Sequence, residues 1–173
     1  LKEPSMPGWS LNITVDELNL IISDSALAEI KMQRKNAIDG KREFSFVNAR
    51  IVHKSDTTPI KLRLKGDRAI HFNDETKWSF RVKTTDGKSI FNVKRFSLHR
   101  AGARNYIYEW IFHKALHSID LIGLKYKFIR LKVGDCDLGI YAFEEHFENS
   151  LITNKGLPLG PIIRFNEDYS LDD

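Results

Sequence analysis

A single cysteine, two methionines and no apolar run near the ~20 residues of a membrane span set the outer limits on this 173-residue chain. Cys136 has no partner for an internal disulfide, and alone it gives no cue to redox compartment. Neither a Gly-x-Gly-x-x-Gly sequence nor a Walker loop is present, which excludes the glycine-rich backbone cradles that hold phosphates in dinucleotide-binding and P-loop proteins. An HExxH metalloprotease helix is also missing. The opening residues, LKEPSMPGWS, lack a basic start followed by an apolar stretch, so no signal peptide is visible in them. No repeat, low-complexity tract or interdomain linker stands out. With 42% apolar and 29% charged residues, the composition is that of one globular domain or a large piece of one.

The net charge is only +4, and its distribution matters more than its size. Basic residues gather in 31–42, 61–65, 77–83 and 94–104, while 167–173 is acidic. In the second and third clusters the charges alternate with apolar residues. Ile60, Leu62 and Leu64 are offset from Lys61, Arg63 and Lys65; Trp78, Phe80 and Val82 are offset from Lys77, Ser79, Arg81 and Lys83. Strict period-two alternation predicts antiparallel strands over 60–66 and 77–84, with one face buried and the other basic. An aligned basic face attracts polyanions. Exposed basic residues on strands also serve simply to blunt aggregation.

Other segments read as follows. Thr14-Val15-Asp16-Glu17 has the form of a capping box, which predicts a helix starting at Val15, interrupted at 23–25 and resuming with Ala26, Leu27 and Ile30. A strand is expected to open near Phe44 and run to His53, with 57–59 breaking it from the next. Residues 104–118 have helical spacing, and Tyr108, Ile111, Phe112, Ala115 and Ile119 form an apolar stripe wide enough to predict a helix clamped between other elements. Residues 124–133 and 138–143 form a hairpin around Gly134-Asp135-Cys136-Asp137. A short helix over 144–153 and a strand over 161–165 complete the reading. The fold class expected is α+β: an antiparallel sheet crossed by one main helix, preceded by a helical segment over 11–40.

The basic strands KLRLKG and KWSFRVK, the helix, and a hairpin ending in Gly139-x-Tyr141-x-x-x-Glu145 follow one another in an order and spacing that resemble the first half of the spore coat protein H (CotH) kinase family. The resemblance covers about 95 residues, from Lys61 to Asn154, and lies in order rather than in any one motif. It implies an atypical kinase small lobe over 41–154, the start of a second lobe over 155–173, and catalytic aspartates beyond Asp173. It implies ATP and magnesium as cofactors of the intact parent, a protein hydroxyl as acceptor, and a cell-envelope, spore-surface or secreted setting. On this reading Lys77, Arg81 and Lys83 are the candidate phosphate ligands, Glu109 is the helix residue expected to pair with one of them, and Glu144 ends the hairpin at the hinge that holds the nucleotide base. This chain alone is then expected to bind nucleotide and to catalyse nothing.

A second reading is a non-catalytic interaction module whose basic sheet face binds an acidic partner. Single-stranded nucleic acid is disfavoured, because Trp78 and Phe80 alternate away from the charges and cannot stack bases beside them. Three further patterns carry little. His99-Arg100-Ala101 imitates a kinase catalytic triplet but has alanine where the base belongs and precedes the helix. Asp135 and Asp137 sit in a turn that favours aspartate for backbone reasons. Glu109, His113 and His117 share a helix face, but without a fourth metal ligand.

Overall fold

The computed structural model describes residues 15–66, 68–161 and 163. Seven strands close into a barrel: β1 (Asp16–Ile21), β2 (Val47–His53), β3 (Asp56–Leu64), β4 (Phe80–Thr84), β5 (Arg95–Arg100), β6 (Tyr126–Val133) and β7 (Cys136–Glu145). Around the barrel the order is β1-β2-β3-β4-β5-β7-β6, and it closes by a parallel pairing of β1 with β6; all other neighbours are antiparallel. Three helices accompany it: α1 (Asp24–Ile38), α2 (Tyr108–Ser118) and α3 (Asn149–Thr153).

This corrects the expected fold. The protein is a closed mixed barrel, not an antiparallel sheet crossed by a helix in the manner of a kinase small lobe. The overturning element is β1. In DELNLI the alternation of Leu18 and Leu20 outweighs the helical signal of the preceding residues, since both leucines are fully buried in the barrel. Val15 is therefore not a helix start, and Thr14 lies outside the described residues. The helix cap is instead Ser23, whose side chain accepts the Ala26 N–H at 3.3 Å and starts α1 at Asp24.

The barrel interior is filled by alternate residues of every strand, among them Ile51, Leu62, Val82, Phe96, Leu98, Ile129 and Phe143. The alternation in 60–64 and 80–84 thus reads correctly, with Leu62 paired to Val82 and Leu64 to Phe80. The expected break at 57–59 does not occur. Pro59 sits inside β3 opposite Arg50, and its carbonyl accepts from the Thr85 N–H and hydroxyl. Helix α1 packs on β2 and β3, adding Ile30 and Ala37 to the core.

Helix α2 departs furthest from its expected packing. His113 is its only buried residue, while Tyr108, Ile111 and Phe112 are 68%, 47% and 56% exposed. The apolar stripe faces away from the barrel rather than clamping the helix to it. The strand expected over 161–165 and the acidic tail fall almost wholly outside the described residues.

Gly139 is a backbone requirement. The β6–β7 ladder slips by one residue between Leu131 and Lys132, and Gly139 there has φ +76°. Gly139→Ala is expected to cost about 1–2 kcal/mol in urea unfolding, the usual penalty of a left-handed L-residue. An unchanged midpoint would mean that the bulge relaxes.

Candidate functional site

Strand parity puts Lys61, Arg63, Arg81, Lys83, Arg95, Ser97, His99 and Glu144 on the outer barrel wall, opposite the core residues between them. Register then aligns them. Lys61 faces Lys83, which faces Arg95; one rung along, Arg63 faces Arg81, Arg81 faces Ser97, and Ser97 faces Glu144. Like charges directly opposite across strands are destabilising; of this row Arg95 has a counter-charge, Glu148 at 3.6 Å. Arg63 and Lys83 place their cationic heads 5.4 and 4.5 Å from the centroid of the Phe46 ring.

One carboxylate anchors the wall. Glu144 is 9% exposed and meets three basic groups: His99 Nε2 at 3.0 Å, Lys65 Nζ at 3.5 Å and an Arg104 guanidinium nitrogen at 3.8 Å. Burial pushes its carboxyl up, but the His99 hydrogen bond and the Lys65 and Arg104 charges outweigh that and hold it well below the usual range. The adjacent Glu145 points the other way, and its carboxylate accepts the Lys125 N–H at 2.9 Å. The two neighbouring glutamates that close the hairpin motif thus have separate tasks. Tyr141 of the same motif is fully buried and donates to the Trp78 carbonyl at 3.0 Å, tying β7 to the start of β4.

Beside this hub stands His146. Its Nε2 is 2.9 Å from Ser97 Oγ, and its backbone N–H donates to the Arg95 carbonyl. Burial, then the positive charges of Arg81, Lys65 and Arg95, push its imidazole down to about 4, against the opposing pull of Glu144. The buried Nε atoms of Arg81 and Arg104 have no hydrogen-bond partner among the described residues. Lys83, Thr84, Lys94 and Arg95 form one wall of an open cleft of about 750 Å³, with Phe147, Glu148, Asn149 and Ser150 opposite.

The candidates read from sequence separate into two groups. Arg81 and Lys83 share the outer face of β4, and Glu144 lies two strands away from Arg81 on the same rung. Lys77 does not join them: it precedes β4, exposed, in a turn where its N–H donates to Asp74 at 2.9 Å. Glu109 pairs with His113 at 3.5 Å rather than with a strand lysine. The glutamate–lysine pair that sequence reasoning sought between helix and strand is made by Glu144 and Lys65, both on the barrel wall. Sequence reasoning also missed His99, Arg104 and His146. The signal for His99 was its parity with Ser97 on β5, a strand that Phe96, Ser97, Leu98 and His99, all buried, leave without an exposed face to mark it. His113 and His117 are engaged locally: His113 Nδ1 accepts the Leu124 N–H at 3.2 Å, and His117 Nε2 donates to the Gly123 carbonyl at 2.9 Å.

For ATP, the chain's residues fit the phosphates: three cations line the cleft and Glu148 is the sole carboxylate among its lining residues. For magnesium the donor set does not fit, since no group of three His, Cys, Asp or Glu side chains converges among the described residues. Among the described residues no helix is long and apolar enough to cross a membrane. No family model matches the chain, and no curated protein matches it.

Proposed function

We propose that this domain binds the phosphate chain of a nucleotide, ATP being the candidate, along the basic outer wall of β3, β4 and β5. The observation that carries the reading is the in-register cationic row Lys61–Lys83–Arg95, bordered by Arg81 and opening into the cleft walled by Phe147–Ser150. Side chains stand in for the absent glycine loop: lysine and arginine heads supply the charge, and the anchored Glu144 fixes the neighbouring Lys65 and Arg104. Phe147, 64% exposed at the cleft, offers a stacking surface for a base. The proposal keeps the relation to CotH-type kinases for this phosphate grip and does not rest on a kinase small-lobe fold.

The test is calorimetric titration of ATP without added metal into wild type and into the double variant Lys83→Ala/Arg95→Ala. Charge-assisted hydrogen bonds contribute about 1.5–3 kcal/mol each, so the double variant is expected to weaken ATP at least tenfold. Identical binding in both proteins would sink the assignment. An acidic peptide that binds where ATP gives no heat would establish the interaction-module reading instead.

In this reading phosphoryl transfer to a protein hydroxyl would need catalytic groups besides the basic wall. The chain alone is expected to transfer no labelled phosphate from ATP, because no metal-ligating cluster converges among the described residues to neutralise the transferring phosphoryl group. Robust labelling of any acceptor by this chain would overturn that requirement.

A further inference from the structure

A second cavity, of about 280 Å³, lies where helix α2 meets the barrel, and it shares no lining residue with the cleft beside the basic wall. Its apolar lining is Phe91, Trp110, Tyr126 and Phe143, with Leu124 the one aliphatic residue. Lys114, Lys125 and Lys127 complete the enclosure, and no carboxylate is among the lining residues. Lys127 is committed elsewhere, to Asp16 and to the face of Phe91. Lys114 and Lys125 are exposed, Lys114 standing 5.7 Å from the Trp110 ring centroid and Lys125 3.4 Å from the Phe91 carbonyl.

Two buried polar atoms of lining residues have no hydrogen-bond partner among the described residues: Tyr126 Oη and His113 Nε2. The residues are 6% and 5% exposed, and their rings stack at a centroid distance of 5.9 Å. His113 Nδ1 is occupied as an acceptor of the Leu124 N–H, so in the neutral ring Nε2 carries the proton; its nearest ion-pair partner, Glu109, is 3.5 Å away. The hydroxyl of Tyr126 and the N–H of His113 are thus donors in need of an acceptor, in a setting where unsatisfied groups are costly.

We propose that this cavity is a binding site for a small aromatic anion, one or two fused rings bearing a carboxylate. The size decides the class, since about 280 Å³ lies at the lower end of ligand cavities and admits one or two rings. The aromatic lining takes the rings, and the carboxylate is drawn to the exposed Lys114 and Lys125, away from Glu109 and Glu144, whose charges act on Tyr126 and His113. A polyphosphate is a poor occupant, because it has no apolar surface to set against four aromatic side chains.

The probe is 2-naphthoate, titrated into the 173-residue protein and followed in amide proton–nitrogen spectra. Saturable binding is expected, with shifts centred on His113, Gly123, Leu124 and Lys125. The double variant Lys114→Ala/Lys125→Ala, which removes two exposed charges and leaves the core intact, should weaken it at least tenfold. The neutral analogue 2-naphthamide should bind wild type at least tenfold more weakly than the acid. Three results would each overturn the site: no saturation up to the solubility of the probe, shifts centred on the exposed Ile111 and Phe112 face, or equal binding by the lysine variant.

Discussion

Glu144→Leu is expected to destabilise the domain by about 3–5 kcal/mol, the largest single loss we anticipate outside the apolar core. The residue is 9% exposed, and its carboxylate faces His99, Lys65 and Arg104 within 3.0–3.8 Å. Removing it takes the shared carboxylate away from Lys65, 3% exposed, from His99, fully buried, and from Arg104. The cost then comes from two sources, the lost charge-assisted hydrogen bond and the repulsion among the basic groups left behind. Glu144→Gln keeps an acceptor for His99 but not the charge, so it should fall between the leucine variant and wild type. Asp137→Asn keeps an acceptor for the Gly139 N–H and removes the charge that pairs with Arg130 in solvent, so it is expected to leave the urea midpoint unchanged. A leucine variant within 1 kcal/mol of wild type would show that the three basic groups reach water without Glu144, and that the hub contributes nothing to stability.

What was legible in the sequence was whatever is local in the chain. Alternation over a few residues places Leu62, Leu64, Phe80 and Val82 inside and Lys61, Arg63, Arg81 and Lys83 outside, because a strand's two faces follow from its own pleat. The β6–β7 hairpin was likewise visible, since its turn and both arms are contiguous. Closure was not. The pairing of Leu18 with Leu131 joins residues more than a hundred positions apart, and nothing in either segment names the other. The site was hidden for the same reason. Arg81, Ser97 and Glu144 occupy one rung only because β4, β5 and β7 lie side by side, so each looks like an ordinary surface residue alone. The stripe on α2 was read correctly as apolar and wrongly as buried: periodicity fixes which residues share a helix face, not what that face meets.

Lowering the pH from about 6.5 to about 4 is expected to remove on the order of 3 kcal/mol of stability through His146. Its ordinary value is 6.5 and its folded value about 4, so between them the unfolded chain takes up a proton that the folded chain refuses. The unfolded state then binds more protons, which makes stability rise with pH across that window and fall as acid is added. Glu144 has the same sign lower down. Its folded carboxyl titrates below the ordinary 4.5, so its contribution is intact above that value and is lost as pH drops beneath it. The two groups together predict a continuous acid decline beginning well above the range of carboxylates, and His146→Phe should flatten its upper part. A bound polyphosphate shrinks the His146 arm, because a neighbouring anion offsets the charges of Arg81, Lys65 and Arg95, which add to burial in holding the imidazole neutral. By linkage the anion raises the His146 midpoint; the terminal phosphate of ATP itself takes up a proton across the same window, so it is the advantage of wild type over His146→Phe in ATP affinity that should grow as pH falls from 6.5 toward 4. Proton resonances of the His146 ring read the titration directly. A midpoint near 6.5 in the free protein, or one that ATP leaves unmoved, would show that the cationic wall and the histidine do not share a field.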